Sequence, residues 1–208
     1  MKYLLAGLLL FSCSFSATAQ TRIGVHAGYN YNTARIYTNQ EKQPTDYVSG
    51  FNIGARIKTG FEPPLHFVGM LNYNMRGYTL EPLAGPVQKI ETRIHYIDVA
   101  PLLNYDFKTG SNNFLSLTLG PTLGIAVSGK QKITENNITK SSAMKFSFSG
   151  NYGYANVGIF GGLSHHFNKF FIEGSYHLGV NSINNDEEVD GTNIKNRGFA
   201  VNIGYWLK

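Results

Sequence analysis

Apolar side chains occupy every second position in eight separate segments of this chain. In residues 199–207, for example, Phe, Val, Ile, Tyr and Leu take the odd-numbered positions, and Ala, Asn, Gly and Trp lie between them. A period of two puts successive side chains on opposite faces of a β-strand. Each segment has about ten residues or slightly more, the length at which a tilted strand crosses a bilayer. The eight segments are residues 22–31, 47–58, 65–78, 93–107, 113–128, 151–167, 169–183 and 196–208.

The two faces of these strands differ in a way that separates a membrane barrel from a soluble fold. One face is apolar, and the other mixes glycines with large or charged side chains such as His26, Arg56 and Glu173. In a soluble sandwich, this second face would point to water and would be rich in polar residues instead of mixing glycines with large side chains. Charged residues make up only 15% of the chain, against about 25% in typical soluble domains. We therefore expect the apolar face to contact lipid, and we expect Trp206 to point into the barrel near its periplasmic mouth.

The connections between the segments alternate in length. Those after the second, fourth and sixth segments are short, and the others are longer, at residues 32–46, 79–92, 129–150 and 184–195. Outer-membrane barrels have this arrangement, with short periplasmic turns and long outer loops. The sequence thus predicts an all-β fold, a closed eight-stranded antiparallel up-and-down transmembrane β-barrel.

Two prolines interrupt the predicted strands. Pro101 and Pro121 fall on lipid-facing positions. Because proline lacks the N–H that a sheet ladder needs, it is confined to edges and irregular positions. We expect a local β-bulge at each proline.

Residues 1–19 predict a signal peptide that is removed. Lys2 precedes an apolar run, and residues 17–19 (Ala-Thr-Ala) have the small-residue form of a cleavage site. The mature barrel domain is then residues 20–208, exported to the bacterial outer membrane. The single cysteine, Cys13, lies in the removed part, so no disulfide is expected. A lipoprotein anchored at this cysteine is the alternative.

Charged side chains recur on the predicted inward face. Eight strands enclose an interior just wide enough for side chains to fill, and buried charges are stable only when they are paired. We therefore predict a structural network of ion pairs and hydrogen bonds inside the barrel. A narrow polar path for ions or small solutes is the alternative. The predicted network contains Arg22, Arg56, Arg76, Asp98, Asp106 and Glu173.

The longest predicted loop, residues 129–150, is basic. It carries Lys130, Lys132, Lys140 and Lys145, which are candidate contacts for an anionic glycan. The alternative is that these lysines are only solvated. The basic residues as a whole are scattered along an exported chain, so nucleic acid is not an expected partner.

We predict no catalytic residue and no cofactor. Glu173, Ser175 and His177 share one inward face, but they are spread along the strand and point into a filled interior. A nucleophile needs an oriented base and access for a substrate. The spacing therefore does not favour an enzyme.

No metal site is expected either, with one weak candidate. Asp186, Glu188 and Asp190 have the carboxylate spacing of the start of a calcium loop. The usual glutamate at the twelfth position is replaced by Arg197, and no helices flank the segment. A solvated acidic loop is the simpler interpretation.

Residues 96–105 (YIDVAPLLNY) resemble the Y-[IL]-[ED]-[IV]-P-L-L-x-x-Y strand of the PorT-like outer-membrane β-barrel family, with Ala100 as an extra residue before the proline. RIGVHAGYNY at 22–31 and GFNIGA at 50–55 are similar to the first two strands of that family. The resemblance implies an eight-stranded barrel in the outer membrane. Family members largely have no assigned activity, although one namesake assists protein secretion across the outer membrane. Lys208 departs from the terminal aromatic residue that many outer-membrane proteins use in assembly.

These observations predict a monomeric outer-membrane barrel with a side-chain-filled lumen. Its exposed loops would serve surface binding, adhesion or envelope integrity. Outer-membrane lipid and lipopolysaccharide are expected partners, and an extracellular glycan or protein is a further one. Two alternatives stay open: a narrow porin or an accessory of transport or secretion, and a soluble periplasmic barrel of the lipocalin type with an apolar interior.

Overall fold

The computed structural model describes residues 21–83, 85–110, 113–148, 152–186, 188 and 191–207. The predicted signal peptide lies outside these residues. Eight long antiparallel strands dominate the fold. They are β1 (Arg22–Thr38), β2 (Thr45–Glu62), β3 (Leu65–Leu80), β4 (Val87–Lys108), β5 (Asn113–Glu135), β6 (Ala155–Phe167), β7 (Phe170–Gly179) and β8 (Thr192–Trp206).

The eight strands form a closed ring. Each strand pairs with the next one in the chain, and β8 pairs with β1 from Gly24 opposite Trp206 to Thr38 opposite Thr192. Closure leaves no strand edge without a hydrogen-bonded neighbour. The predicted closed up-and-down barrel is confirmed. None of the described residues forms a helix long and apolar enough to cross a membrane.

In the lipid-facing part of the strands, the outward side chains are mostly apolar, and most of the buried inward side chains are polar. On β8, Val201 and Ile203 are about 60% exposed, whereas Asn202 between them is 4% exposed. On β5, Leu117 and Leu119 are exposed and Thr118 is buried. A soluble lipocalin-type barrel would have the reverse arrangement, so that alternative is excluded. The apolar face contacts lipid.

Aromatic side chains mark both ends of the lipid-facing surface. On β4, the outward positions run from Tyr105 near the periplasmic end to His95, whose ring stacks on that of Tyr73. Ten residues at about 3.3 Å each, tilted by about 40°, span about 25 Å. That is the height of the apolar band of an outer-membrane barrel.

The outer ends of the strands extend further than predicted. The prediction that these segments are loops was therefore wrong for most of their residues. Residues 32–46, 79–92 and 129–150 are largely strand: β1 runs to Thr38, and β5 runs to Glu135. The tight turns use the pairs 39–40 and 136–137, which all have positive φ between 49° and 69°. Two-residue turns of this kind join strands whose twist they match. The turn residues Asn-Gln and Asn-Asn were the sequence signal for these hairpins.

The expected β-bulges at the prolines are absent. Val99 pairs with Leu123 and Leu103 pairs with Leu119 in one unchanged register, which places Pro101 opposite Pro121. The sheet therefore places both residues that lack an N–H at the same point between β4 and β5. The ladder has a short gap there and needs no extra residue.

A buried apolar cluster closes the outer end of the barrel. It lies above the polar lumen, and side chains from the outer segments pack on it, including Met144, Phe146 and Tyr152. A second apolar cluster lies lower in the barrel, around Leu102 and Phe160. The members of the outer cluster are Ala34, Ile36, Tyr78, Ile94, Tyr96, Ala126, Ile183 and Ile194.

Candidate functional site

A buried ion pair crosses the middle of the lumen. Both terminal nitrogens of Arg56 on β2 donate to the carboxylate of Glu173 on β7, at 2.9 and 3.0 Å. Both side chains are at most 5% exposed. The guanidinium also lies 4.5 Å from the centre of the Phe171 ring. A two-point contact with a ring stacked on the guanidinium holds both groups in one geometry.

A row of asparagines joins this ion pair to a second one. The amide of Asn52 donates to Asn30 at 2.6 Å and to Asn202 at 2.8 Å. Asn202 donates in turn to Glu173 at 3.2 Å, while Asn30 donates to Asn74 at 2.5 Å. Every amide thus donates away from Asn52. This order directs N–H groups toward carboxylates at both ends of the row.

The second ion pair lies nearer the outer end. Asn74 donates to Asp98 at 3.0 Å, and Arg76 donates to the same carboxylate oxygen at 2.6 Å. Arg76 also donates to Asn156 on the opposite wall at 3.0 Å. The two ion pairs and the amide row between them form one hydrogen-bonded unit, which we call the lumen network.

A third group of charges closes the periplasmic mouth. Lys58 donates to both carboxylate oxygens of Asp106, at 2.7 and 2.6 Å. Ser116 donates to Asp106 at 2.6 Å, and His66 lies 3.1 Å from it. Arg22 does not join these groups, because it is exposed at the rim and lies 6.0 Å from the Phe114 ring centre. The structure thus places five of the six predicted network residues in ion pairs and Arg22 at the mouth.

Aromatic side chains fill the space between the middle of the lumen and the periplasmic mouth. The indole N–H of Trp206 donates to His166 at 3.1 Å, and Ser164 lies 2.8 Å from the other ring nitrogen. The His166 ring stacks on Phe114 at 4.2 Å. The sequence pattern located Trp206 but did not identify His166. Its position two residues after the inward Ser164 was the signal for its direction.

A small cavity lies within the lumen network. A cavity of about 30 Å³ lies among Asn30, Asn52, Asn72, Asp98 and His177, which is room for about two water molecules. Several polar atoms around it, including Oδ1 of Asn52 and of Asp98, have no hydrogen-bond partner among the described residues. These oxygen atoms can be satisfied by enclosed water.

The carboxylate, hydroxyl and imidazole that share one face of β7 do not meet. Glu173 is held by Arg56, Ser175 accepts a hydrogen bond from Asn202 at 3.4 Å, and His177 lies 3.0 Å from Thr122. Asn202 of β8 donates to both Glu173 and Ser175, whereas His177 contacts Thr122 of β5. The arrangement lacks the nucleophile and oriented base that covalent catalysis requires.

The predicted loop lysines lie on an arm that projects above the barrel. This arm consists of the outer part of β5 and the antiparallel strand Ile138–Ala143, with Lys130 opposite Ala143 and Ile133 opposite Lys140. Lys130, Lys132, Lys140 and Lys145 are all exposed.

The weak calcium candidate lies partly outside the described residues. Glu188 is exposed, and Asp190 is not described. Among the residues that are described, no three His, Cys, Asp or Glu side chains come together in a way that could hold a metal ion.

The protein is an integral β-barrel of the bacterial outer membrane. The barrel is closed, its lipid-facing belt is about 25 Å tall, and paired polar side chains lie in its lumen. The chain belongs to the family described as outer membrane protein beta-barrel domain, whose model matches residues 16–185. No curated protein is similar enough in sequence to match this chain.

Several solved structures of outer-membrane proteins align with most of this chain at low sequence identity. The attachment invasion locus protein Ail of Yersinia pestis is 16% identical over 89% of this chain and 98% of its own, with a TM-score of 0.46. The outer membrane protein OprG from Pseudomonas aeruginosa is 14% identical over 91% and 97%, with a TM-score of 0.49. Neisserial surface protein A is 13% identical over 88% and 96%, with a TM-score of 0.43.

Proposed function

We propose that this outer-membrane barrel is a monomeric surface-binding protein whose projecting arm binds anionic polysaccharide. The observation that carries the proposal is the position of the lysines. The strands continue past the lipid-facing belt and hold Lys132 and Lys140 on a paired hairpin. A hairpin orders its side chains better than a long flexible loop does, so less conformational entropy is lost on binding.

The distribution of charge on the arm suits a long polyanion better than a small ligand. Lys130 and Lys132 project from one face of β5, whereas Lys140 pairs with Ile133 and projects from the other face. These lysines lie at exposed positions. Phe148, which is 91% exposed, and Ile138, which is 63% exposed, offer apolar contact beside the charges. A chain molecule can follow such a surface and contact several cations in turn.

The first prediction tests the arm on intact cells. The double variant Lys132→Gln/Lys140→Gln is expected to weaken retention of fluorescent heparin, used as a model polyanion, by about tenfold at low salt, because two exposed charge contacts are lost. Wild-type retention should fall steeply as sodium chloride is raised. The measurement is cell-bound fluorescence by flow cytometry.

The matched control removes two charges at the other end of the barrel. Lys108 lies at the periplasmic end of β4, and Lys169 lies in the β6–β7 turn. The variant Lys108→Gln/Lys169→Gln should bind as the wild type does. Equal losses in both double variants would contradict the assignment to the arm, and unchanged binding in both would reject the polysaccharide.

In this proposal, the lumen of the barrel is closed to solutes, whereas in the alternative the protein is a narrow porin. The outer apolar cluster, the lumen network and the aromatic layer around His166 lie one below the other along the lumen. The second prediction is that purified protein added to a planar bilayer inserts without raising its conductance. Insertion is checked by recovering folded protein that changes gel mobility on boiling. Conductance that scales with insertion would contradict the closed lumen and favour the porin.

The same proposal includes three further assignments: the absence of catalysis, the subfamily and the monomeric state. The absence of catalysis is supported by the separate partners of Ser175 and His177. Membership of the PorT-like group within the wider family is supported by the residues at 96–105. The monomeric state is supported by the closed ring, in which each of the eight long strands is paired on both sides.

A further inference from the structure

Three cations lie together on the outer wall of the barrel, away from the arm. Arg35 on β1 lies directly opposite Lys195 on β8, and Arg197 lies two residues further along β8, opposite Thr33. Residues two apart on a strand share a face. Tyr31 and Phe199 are on the outward face of the same two strands, so all three cations project outward. We call this set the β1/β8 cation cluster.

The cluster has no acidic partner within the described part of the chain. None of the three side chains forms an ion pair there. Like charges directly opposite one another in a sheet are destabilising. A cross-strand pair of this kind indicates that the compensating anion comes from another molecule.

The opposite wall provides a contrast. Arg93 on β4 also lies opposite a lysine, Lys130. There, however, Arg93 donates to Glu91 at 2.8 Å, and Glu91 is itself opposite Lys132. Arg93 therefore has an acidic partner within the chain, whereas none of the three cations of the β1/β8 cluster has one.

The height of the cluster selects the class of anion. Directly below it lie three outward aromatic side chains, Tyr31, Phe199 and Tyr176, the last two with ring centres 4.7 Å apart. Aromatic girdles sit at the level where acyl chains meet headgroups. Arg197 follows this girdle immediately, and Arg35 and Lys195 lie one further step outward. The three cations therefore face the headgroup layer of the outer leaflet.

We propose that Arg35, Lys195 and Arg197 bind the phosphorylated headgroup of an outer-leaflet glycolipid. Two guanidinium groups suit phosphate because each can donate two parallel hydrogen bonds. The acyl chains of the bound lipid then pass down over Tyr31 and Phe199. This site is separate from the arm that the proposed function uses, and it would anchor the barrel in the outer leaflet.

The test uses the full refolded barrel in neutral detergent and native mass spectrometry. The probes are bisphosphorylated lipid A, its dephosphorylated form, and phosphatidylglycerol. The wild type should retain bisphosphorylated lipid A best. The triple variant Arg35→Gln/Lys195→Gln/Arg197→Gln should bind this lipid about 10- to 100-fold more weakly, because each basic residue at a membrane surface strengthens the binding of anionic lipid. The matched control, Lys132→Gln/Lys140→Gln/Lys145→Gln, should bind lipid A as the wild type does.

The remaining outcomes separate this proposal from the polysaccharide one. The Arg35 triple variant should keep the gel shift on boiling and keep heparin binding, which shows that it folds and that the arm is intact. Unchanged lipid A binding by that variant, or equal binding of the dephosphorylated lipid, would overturn the glycolipid site and leave the arm unaffected. Preference for phosphatidylglycerol would overturn the glycolipid assignment as well.

Discussion

Replacing Glu173 with Gln is expected to lower the free energy of unfolding by about 3–5 kcal/mol, because Arg56 would keep its charge in the lumen without a counter-ion. The bidentate contact of this pair is buried from solvent on both sides. The single tryptophan, Trp206, is buried in the same barrel and reports unfolding by fluorescence. The measurement is a urea titration of protein refolded into phospholipid vesicles, compared with the wild type.

A double variant distinguishes the loss of a partner from the loss of the pair. Arg56→Met/Glu173→Met removes both charges, so much of the stability lost in the single variant should return, since buried ion pairs can often be replaced by apolar side chains. Lys132→Gln, exposed on the arm, serves as the control and should leave the urea midpoint unchanged. A Glu173→Gln variant as stable as the wild type would show that the pair does not hold the barrel together.

Replacing Gly204 with Ala should destabilise the barrel by about 1–3 kcal/mol through overpacking, and Val should do more. Gly204 lies opposite Phe171 in the β7–β8 pairing, and a Cβ there would come within 2.0 Å of the Phe171 ring. The ring cannot easily retreat, because Arg56 lies 4.5 Å from its centre and Trp206 5.5 Å. The readout is the urea midpoint, together with the folded fraction on unheated gels.

Another glycine of the same sheet provides the matched control. Gly174 on β7 points outward, and a Cβ there would have no heavy atom within 4 Å. Gly174→Ala should therefore be neutral or slightly stabilising, because alanine loses less conformational freedom on folding than glycine. Adding Phe171→Leu to Gly204→Ala should recover part of the loss. Equal effects at the two glycines would mean that backbone propensity, and not the Phe171 ring, explains them.

The sequence alone was sufficient for the class of fold. Eight segments of period two and alternating connection lengths predicted a closed barrel, and the structure has a ring of eight long strands whose outward side chains are the predicted apolar ones. Glycine facing a large side chain was also predictable in kind: Gly24 lies opposite Trp206 and Gly204 opposite Phe171. These features are local, because alternation depends only on the two-residue repeat of a strand.

The outer ends of the strands were harder to predict from the sequence. The residues from Asn32 to Asp46 were predicted as a loop because the simple alternation of apolar and polar side chains ends there. In the barrel, they remain strand because cross-strand pairing continues to Thr38. The two prolines were misjudged for a related reason. The destabilisation caused by a proline in a sheet depends on the residue opposite it in the neighbouring strand. Pro101 lies opposite Pro121, so the two missing N–H groups fall at one point of the sheet.

The alternation along each strand was enough to assign side chains to the lipid or to the interior, since it needs no knowledge of the other strands. Which inward charges meet depends on how all eight strands pair around the ring. Arg56 and Glu173 are 117 residues apart in the chain, and their contact depends on the register of every strand between them around the ring. The like-charge pair of Arg35 and Lys195 was hidden for the same reason, because it exists only where the first and last strands join to close the barrel.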